Sequence, residues 1–276
     1  MCSYMTKIIL FWFLFPLTQR KNNEFRSKLI GYMCLFPMFL ILAQVYTHMS
    51  SLFLIIPLNT QWCLGFLLPV MKKLNLWIAT KIAFKAAGGS TTPAKVAMIC
   101  GVGGMHSFML TLLLASKVTQ TTAYLVMILD SLPNILSCAK IVKRHYRVAD
   151  VINWEANEAV ICLTLKEFLE LLIPCVYCAS FLIAYYGPNA EILGNVKNDY
   201  WQFERVDNVF EKLKAVGIFF GFDVVRAILC GLILWFLCKI NVCKTYCYIM
   251  YTYGMLILFY IMAALNVVFI CYSLIS

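Results

Sequence analysis

Asp130, His106, Asp223 and Arg226 each stand inside a long apolar run of the chain. An ionisable side chain in such a run is costly at bilayer depth, and it faces a partner, a cavity or water. The chemistry open to these residues is the handling of charge: holding a small ion, passing a proton, or neutralising one another between helices. Asp130 lies at the centre of the run 119–140 and His106 at the centre of the run 96–115. Asp223 precedes Arg226 by three positions, a spacing that sets both on one face of a helix. Gln61 follows Asn59 and Thr60 in the middle of the run 51–71, between Pro57 and Pro69.

Glu170 is the sixth candidate, and its depth depends on register. It sits with Lys166 and Glu167 near the start of the run 159–186, which is 28 residues long. That exceeds the roughly 20 residues a bilayer requires. A helix entering the membrane near Phe168 leaves Lys166 and Glu167 at its boundary and Glu170 within snorkelling reach. This shorter register is the expectation; a helix using the whole run would carry Glu170 close to the middle.

Two readings compete for these residues. In the functional one, Gln61, His106, Asp130, Asp223 and Arg226 line a solvated pathway, and prolines at 57, 69 and 133 break helices so that backbone carbonyls contribute. In the structural one, Asp223 and Arg226 neutralise each other locally, and Asp130 pairs with His106 as a tie between helices.

Other chemistry is poorly served. The three histidines have no metal-ligand spacing, and no nucleophile elbow, zinc motif or kinase signature occurs. No catalytic residue, metal or cofactor is therefore expected. The glycine-rich GVGG at 101–104 leads to no phosphate-loop lysine, and small residues there suit close helix packing. Cys175 and Cys178 form a C-x-x-C in mid-run, away from the helix start where a thiolate is stabilised. Cys238, Cys243 and Cys247 cluster beside Lys239 and Lys244, a setting that suits lipid modification by acylation.

The elements that must position these side chains follow from composition. Of 276 residues, 62% are hydrophobic and 13% charged, against about a quarter charged in soluble domains. The mean hydropathy is +0.81. The fold class is accordingly all-α: a polytopic transmembrane helical bundle of about seven, or eight, spans, with continuous apolar runs that exclude the alternating pattern of a barrel. The expected spans are 29–48, 51–71, 96–115, 119–140, 159–186, 216–238 and 248–275, forming one membrane domain over 29–276 after a short apolar segment and basic loop at 1–28. The first apolar stretch, IILFWFLFPLT, is too short to cross and is followed by its positive charges, the reverse of a signal peptide. A partial or reverse-oriented first span is expected there.

Charge sets the orientation. With the loop of Arg20, Lys21, Arg26 and Lys28 in the cytoplasm, the inner side holds fifteen basic and four acidic residues and the outer side six basic and five acidic. The net charge of +10 thus reports membrane orientation, and a nucleic-acid partner is excluded because the basic residues form no stacked soluble face. The segment 74–95 places Trp77, Lys81 and Lys85 along one helical edge and reads as a helix lying among anionic lipid headgroups, stopped by Gly88 and Gly89. Asp130 and Asp223 open short stretches with matching Ile and Leu offsets, too few for an internal repeat.

The preferred function is a transporter or channel for a small solute or ion, with Asp130 as its principal charged contact. A seven-span receptor and a scaffold without turnover are the alternatives, and a membrane-embedded enzyme is the least favoured. The plasma membrane is the default location.

Overall fold

The computed structural model describes residues 22–23, 26, 37–46, 48–49, 52, 55–57, 60–86, 91–114, 119–147, 157–186, 206–255 and 257–258. The stretch IILFWFLFPLT, the greater part of the outer loop after 186 and the end of the last expected span lie outside them. Among the described residues every regular element is helical. These are α1 (Pro37–Tyr46), α2 (Gln61–Ala86), α3 (91–114), α4 (Gln120–His145), α5 (Glu158–Tyr186), α6 (Val206–Cys238) and α7 (242–255). The helix α3 is composite: Thr91–Met98, a π-helical stretch Ile99–Gly103, and Gly104–Leu114.

The helices are inside out compared with those of a protein in water. On α4, Asp130, Ser131 and Asn134 are buried, whereas Ile128, Leu132, Ile135 and Leu136 are exposed. The helix α6 repeats the pattern: Asp223 and Arg226 point inward, and Val225, Ile228, Leu229, Trp235 and Phe236 point out. A soluble helix buries its apolar stripe and solvates its charges, so this inversion fits an apolar surrounding medium. Three segments among the described residues are long and apolar enough to cross a membrane: Gln61–Phe84, Gln120–His145 and Leu213–Cys238.

Packing orders the bundle in layers. One apolar cluster joins Leu68 of α2, Leu110 and Leu114 of α3, Val126 and Met127 of α4 and Phe219 of α6. Another joins Cys138 and Ile141 of α4, Val160 and Leu163 of α5, and Cys230, Leu234 and Cys238 of α6. Both α4 and α6 pass from the first cluster to the second, and so run in the same direction. The helix α5 packs on α3, α4 and α6, and α4 packs on α2, α5 and α6. A third cluster gathers around α3, where Phe39, Ala43 and Tyr46 of α1, Ala79 and Ala83 of α2, and Ile161, Leu165, Leu169 and Ile173 of α5 meet the π stretch. Gly101 is required at that contact, because a β-carbon there would overlap the Phe39 ring.

Four expectations change. The chain from 61 to 86 is one helix that includes the segment expected to lie among headgroups. Apolar residues resume after Lys72 and Lys73, and Leu68, Lys72, Asn75, Ala79 and Ala83 form a single buried stripe. Pro69 and Pro133 lie inside continuous helices and do not break them. The chain is non-helical at Pro57, as expected, and α3 is interrupted by the π stretch Ile99–Gly103, where the glycines of GVGG accommodate the wider turn. Finally, α5 is helical over the full run from Glu158, and Glu170 is buried against Lys72 and Arg226, each near the middle of its own helix, where the shorter register had it within snorkelling reach of the boundary.

Candidate functional site

Between the two apolar clusters shared by α4 and α6 lies a layer of ionised and polar side chains drawn from six helices. Its depth follows from helix length. Lys72 is the twelfth of 24 residues in Gln61–Phe84, Asp130 the eleventh of 26 in Gln120–His145, and Arg226 the fourteenth of 26 in Leu213–Cys238. Each therefore sits near the middle of its span.

Lys72 is the bridge between the two halves of the layer. Its Nζ donates to Asp130 Oδ1 at 2.8 Å and to Glu170 Oε1 at 3.0 Å. Glu170 Oε2 accepts from Asn134 Nδ2 at 2.7 Å and from Arg226 Nη2. The guanidinium of Arg226 spreads its remaining donors over Glu167 Oε2, at 3.1 Å from Nε, and Ser131 Oγ, at 2.9 Å from Nη1. Its Nη1 also lies 2.8 Å from Asp223 Oδ1. The planar fork suits this arrangement, since one ammonium could not face so many acceptors from three helices.

The other end of the layer is less charged. His106 Nε2 lies 3.3 Å from Asp130 Oδ1 and its Nδ1 lies 3.3 Å from the Tyr46 hydroxyl. Asn75 Nδ2 donates to the same hydroxyl at 3.3 Å. Tyr46 and His106 also meet edge to face. An unbroken chain of contacts thus runs from Asn75 through Tyr46, His106, Asp130, Lys72, Glu170 and Arg226 to Asp223. The π stretch ends three residues before His106, and it turns the C-terminal part of α3 so that this ring meets Asp130.

Among the described residues, carboxyl groups outnumber cationic side chains in the layer. Asp130, Glu167, Glu170 and Asp223 supply four carboxylates, all buried. Lys72 and Arg226 are the buried cations. Lys166, half-buried on α5, is electrostatically coupled to Lys72, Glu170 and Asp130. Counting it, the described residues place three cations against four carboxylates. Glu167 Oε1 and Asp223 Oδ2 are also without a hydrogen-bond donor among the described residues.

Five of the six residues expected at the site belong to this network: Asp130, His106, Asp223, Arg226 and Glu170. Asp223 pairs with Arg226, and Asp130 with His106, as the structural reading anticipates, but larger partners join both pairs into one assembly. Gln61 is elsewhere. It opens α2, eleven residues before Lys72, a separation of about 16 Å along the helix axis at 1.5 Å per residue. Its central position in a 51–71 span is overturned because α2 begins where that span was expected to be half complete.

Sequence reasoning missed Lys72, Glu167, Asn134, Ser131 and Tyr46. Lys72 reads as a span terminator beside Lys73, yet only Lys72 falls on the stripe of Leu68, Asn75 and Ala79. Asn134 was visible at i, i+4 from Asp130, the spacing that places two polar side chains on one face. Glu167 was assigned to the membrane boundary; it is buried and shares the Arg226 guanidinium with Glu170. Among the described residues no group of His, Cys, Asp and Glu is arranged to hold a metal ion.

The cysteines separate by exposure. Cys243 and Cys247 are exposed. Cys238 is buried against Cys138, Ile141 and Leu234, which removes it from the acylation candidates because an enzyme cannot reach its thiol. Comparison with protein families, with curated proteins and with solved structures gives no match.

Proposed function

We propose that the chain is a multi-pass transporter or channel for a small cation or for protons, with the charged layer as its pathway. The observation that supports this is the layer's excess of carboxyl groups over cationic side chains near the middle of the candidate spans, with Glu167 Oε1 and Asp223 Oδ2 open to a donor among the described residues. An uncompensated carboxylate at bilayer depth is expensive, so a layer with more carboxyl groups than cations favours uptake of a proton or a small cation. His106, between the Tyr46 hydroxyl and Asp130, is a position at which a proton could enter. Seven crossings, or eight, with the basic loops in the cytoplasm against anionic headgroups of the plasma membrane, complete the reading. No covalent chemistry is proposed.

Reconstitution tests it. Liposomes containing the purified protein should dissipate an imposed proton, sodium or potassium gradient, and Asp130→Asn should abolish that leak while the protein stays folded. Vesicles that remain tight under all three gradients sink the reading. A static scaffold is the second reading, favoured by the saturation of both buried cations with carboxylates. It expects tight vesicles together with a large loss of stability on breaking the layer.

A further inference from the structure

The geometry points to a second kind of site at the turn between α6 and α7. We propose that Cys243 and Cys247 are a paired S-acylation site that takes long-chain fatty acyl groups from acyl-coenzyme A. The span Leu213–Cys238 ends at this turn. Lys239 then adopts a left-handed backbone, φ 57°, and Ile240 tucks back into the core, so that α6 ends and the chain turns over residues 239–241. The helix α7 restarts at residue 242, which sets Cys243 and Cys247 one turn apart at its first two turns.

Three observations converge on these thiols. Both are exposed, while Cys238 and Cys230 nearby are buried. Both stand on the face that continues through Tyr251, 94% exposed, and Met255, 83% exposed. Their four-residue spacing gives a stripe along which an acyl chain attached at either sulfur would lie against apolar side chains. The exposed Lys239 and Lys244 flank the first thiol and would hold the turn among anionic headgroups. A turn that is basic at the interface and apolar along its continuing face meets the setting in which juxtamembrane cysteines accept acyl groups.

The reaction is the transfer of an acyl group from one thiol to another, thioester to thioester. The cysteine sulfur attacks the carbonyl carbon of the acyl thioester and forms a new S–C bond. The bond to coenzyme A breaks, its sulfur leaves with the electron pair, and the cysteine proton ends on the released thiol. No oxidant or reductant takes part. Two chains on adjacent turns would pin the start of α7 in one leaflet, since paired lipid signals hold where one is marginal.

The proposal rests on the membrane reading with the basic turn in the cytoplasm. The full chain is expressed in eukaryotic cells, free thiols are blocked, thioesters are cleaved with hydroxylamine, and the released thiols are tagged with a polymer maleimide that shifts the band. Cys243→Ser and Cys247→Ser should each remove one tag, the double variant two, and Cys238→Ser none. In parallel, after an acylation inhibitor, a membrane-impermeant maleimide should reach Cys243 only in permeabilised cells. An unchanged tag count in the double variant, with Cys243 reached only after permeabilisation, overturns the acylation alone. An unchanged count with Cys243 labelled from outside overturns the orientation and the acylation with it.

Discussion

Two ion-paired regions of this protein use similar residues under opposite conditions. At the start of α3 and α5, Lys95 pairs with Glu158, which also accepts from Thr92 Oγ1 at 3.1 Å. Those side chains are 41% and 32% exposed. At mid-span, Arg226 pairs with Glu170 when both side chains are at 5% or less. Water can replace either partner of the first pair, so the attraction adds little to what solvent already supplies. Nothing replaces a partner in the second, and the cost of removing one is the cost of abandoning the other in an apolar interior. The charged layer is thus held together by the penalty for its disruption, whereas the Lys95–Glu158 pair is held by a small surplus.

The hardest test of that contrast is Arg226→Met. It leaves Glu167, Glu170 and Asp223 around an uncharged side chain, and a loss of about 3–5 kcal/mol in unfolding free energy is expected. Denaturant titration in detergent micelles, followed by helix content, reads it. Arg226→Lys should recover only part, because an ammonium cannot face Ser131, Glu167, Glu170 and Asp223 together. Wild-type stability in Arg226→Met would mean that the layer is already open to water and that the two regions do not differ.

Lys72→Met should cost less, about 3 kcal/mol, because Asp130 retains His106 and Glu170 retains Asn134 and Arg226. The double variant Lys72→Met with Asp130→Asn removes the orphaned charge along with its partner. It should regain part of the loss, a coupling of about 0.5–3 kcal/mol by double-mutant cycle. Strictly additive effects would show that Lys72 and Asp130 do not share an ion pair in the folded protein.

The contrast also explains what the sequence made legible. Composition and run length make legible the helical fold and the helices long and apolar enough to cross a membrane, because apolar continuity is a one-dimensional property of the chain. Asp130, His106, Asp223 and Arg226 were legible for the same reason, each standing out against an apolar run. Lys72 and Glu167 were not, and Glu170 was a candidate whose depth the sequence left to register, because a charge near the end of an apolar run reads as the boundary of a span. Only the partners supplied by other helices make it tolerable at depth, and Glu170 needs Lys72, Asn134 and Arg226 from three of them. The paired exposure of Cys243 and Cys247 and the burial of Cys238 were hidden too, since the turn at Lys239 decides which thiols face out.

Asn134 offers an intermediate case, a neutral donor committed to a buried carboxylate. Asn134→Leu keeps the volume and removes the hydrogen bond at 2.7 Å to Glu170 Oε2. Because Glu170 keeps Arg226 and Lys72, the expected loss is about 1.5–3 kcal/mol, below that of either cation. The same micelle titration checks the order; a loss exceeding that of Lys72→Met would mean that hydrogen bonding holds the layer together more strongly than charge does.

Lys95→Met should have the smallest effect, about 0–1 kcal/mol. Its partner Glu158 keeps the Thr92 hydroxyl and access to solvent. Salt sharpens the distinction: raising ionic strength from 0.01 M to 1 M shortens the Debye length from about 30 Å to about 3 Å. The small cost of Lys95→Met should vanish across that range, while most of the cost of Arg226→Met should persist, because bulk salt screens an exposed pair and screens far less a pair buried between two apolar clusters. A salt-sensitive Arg226→Met would place the layer in contact with an aqueous path through the bundle, and would move the mid-span charges from a sealed tie toward an open conduit.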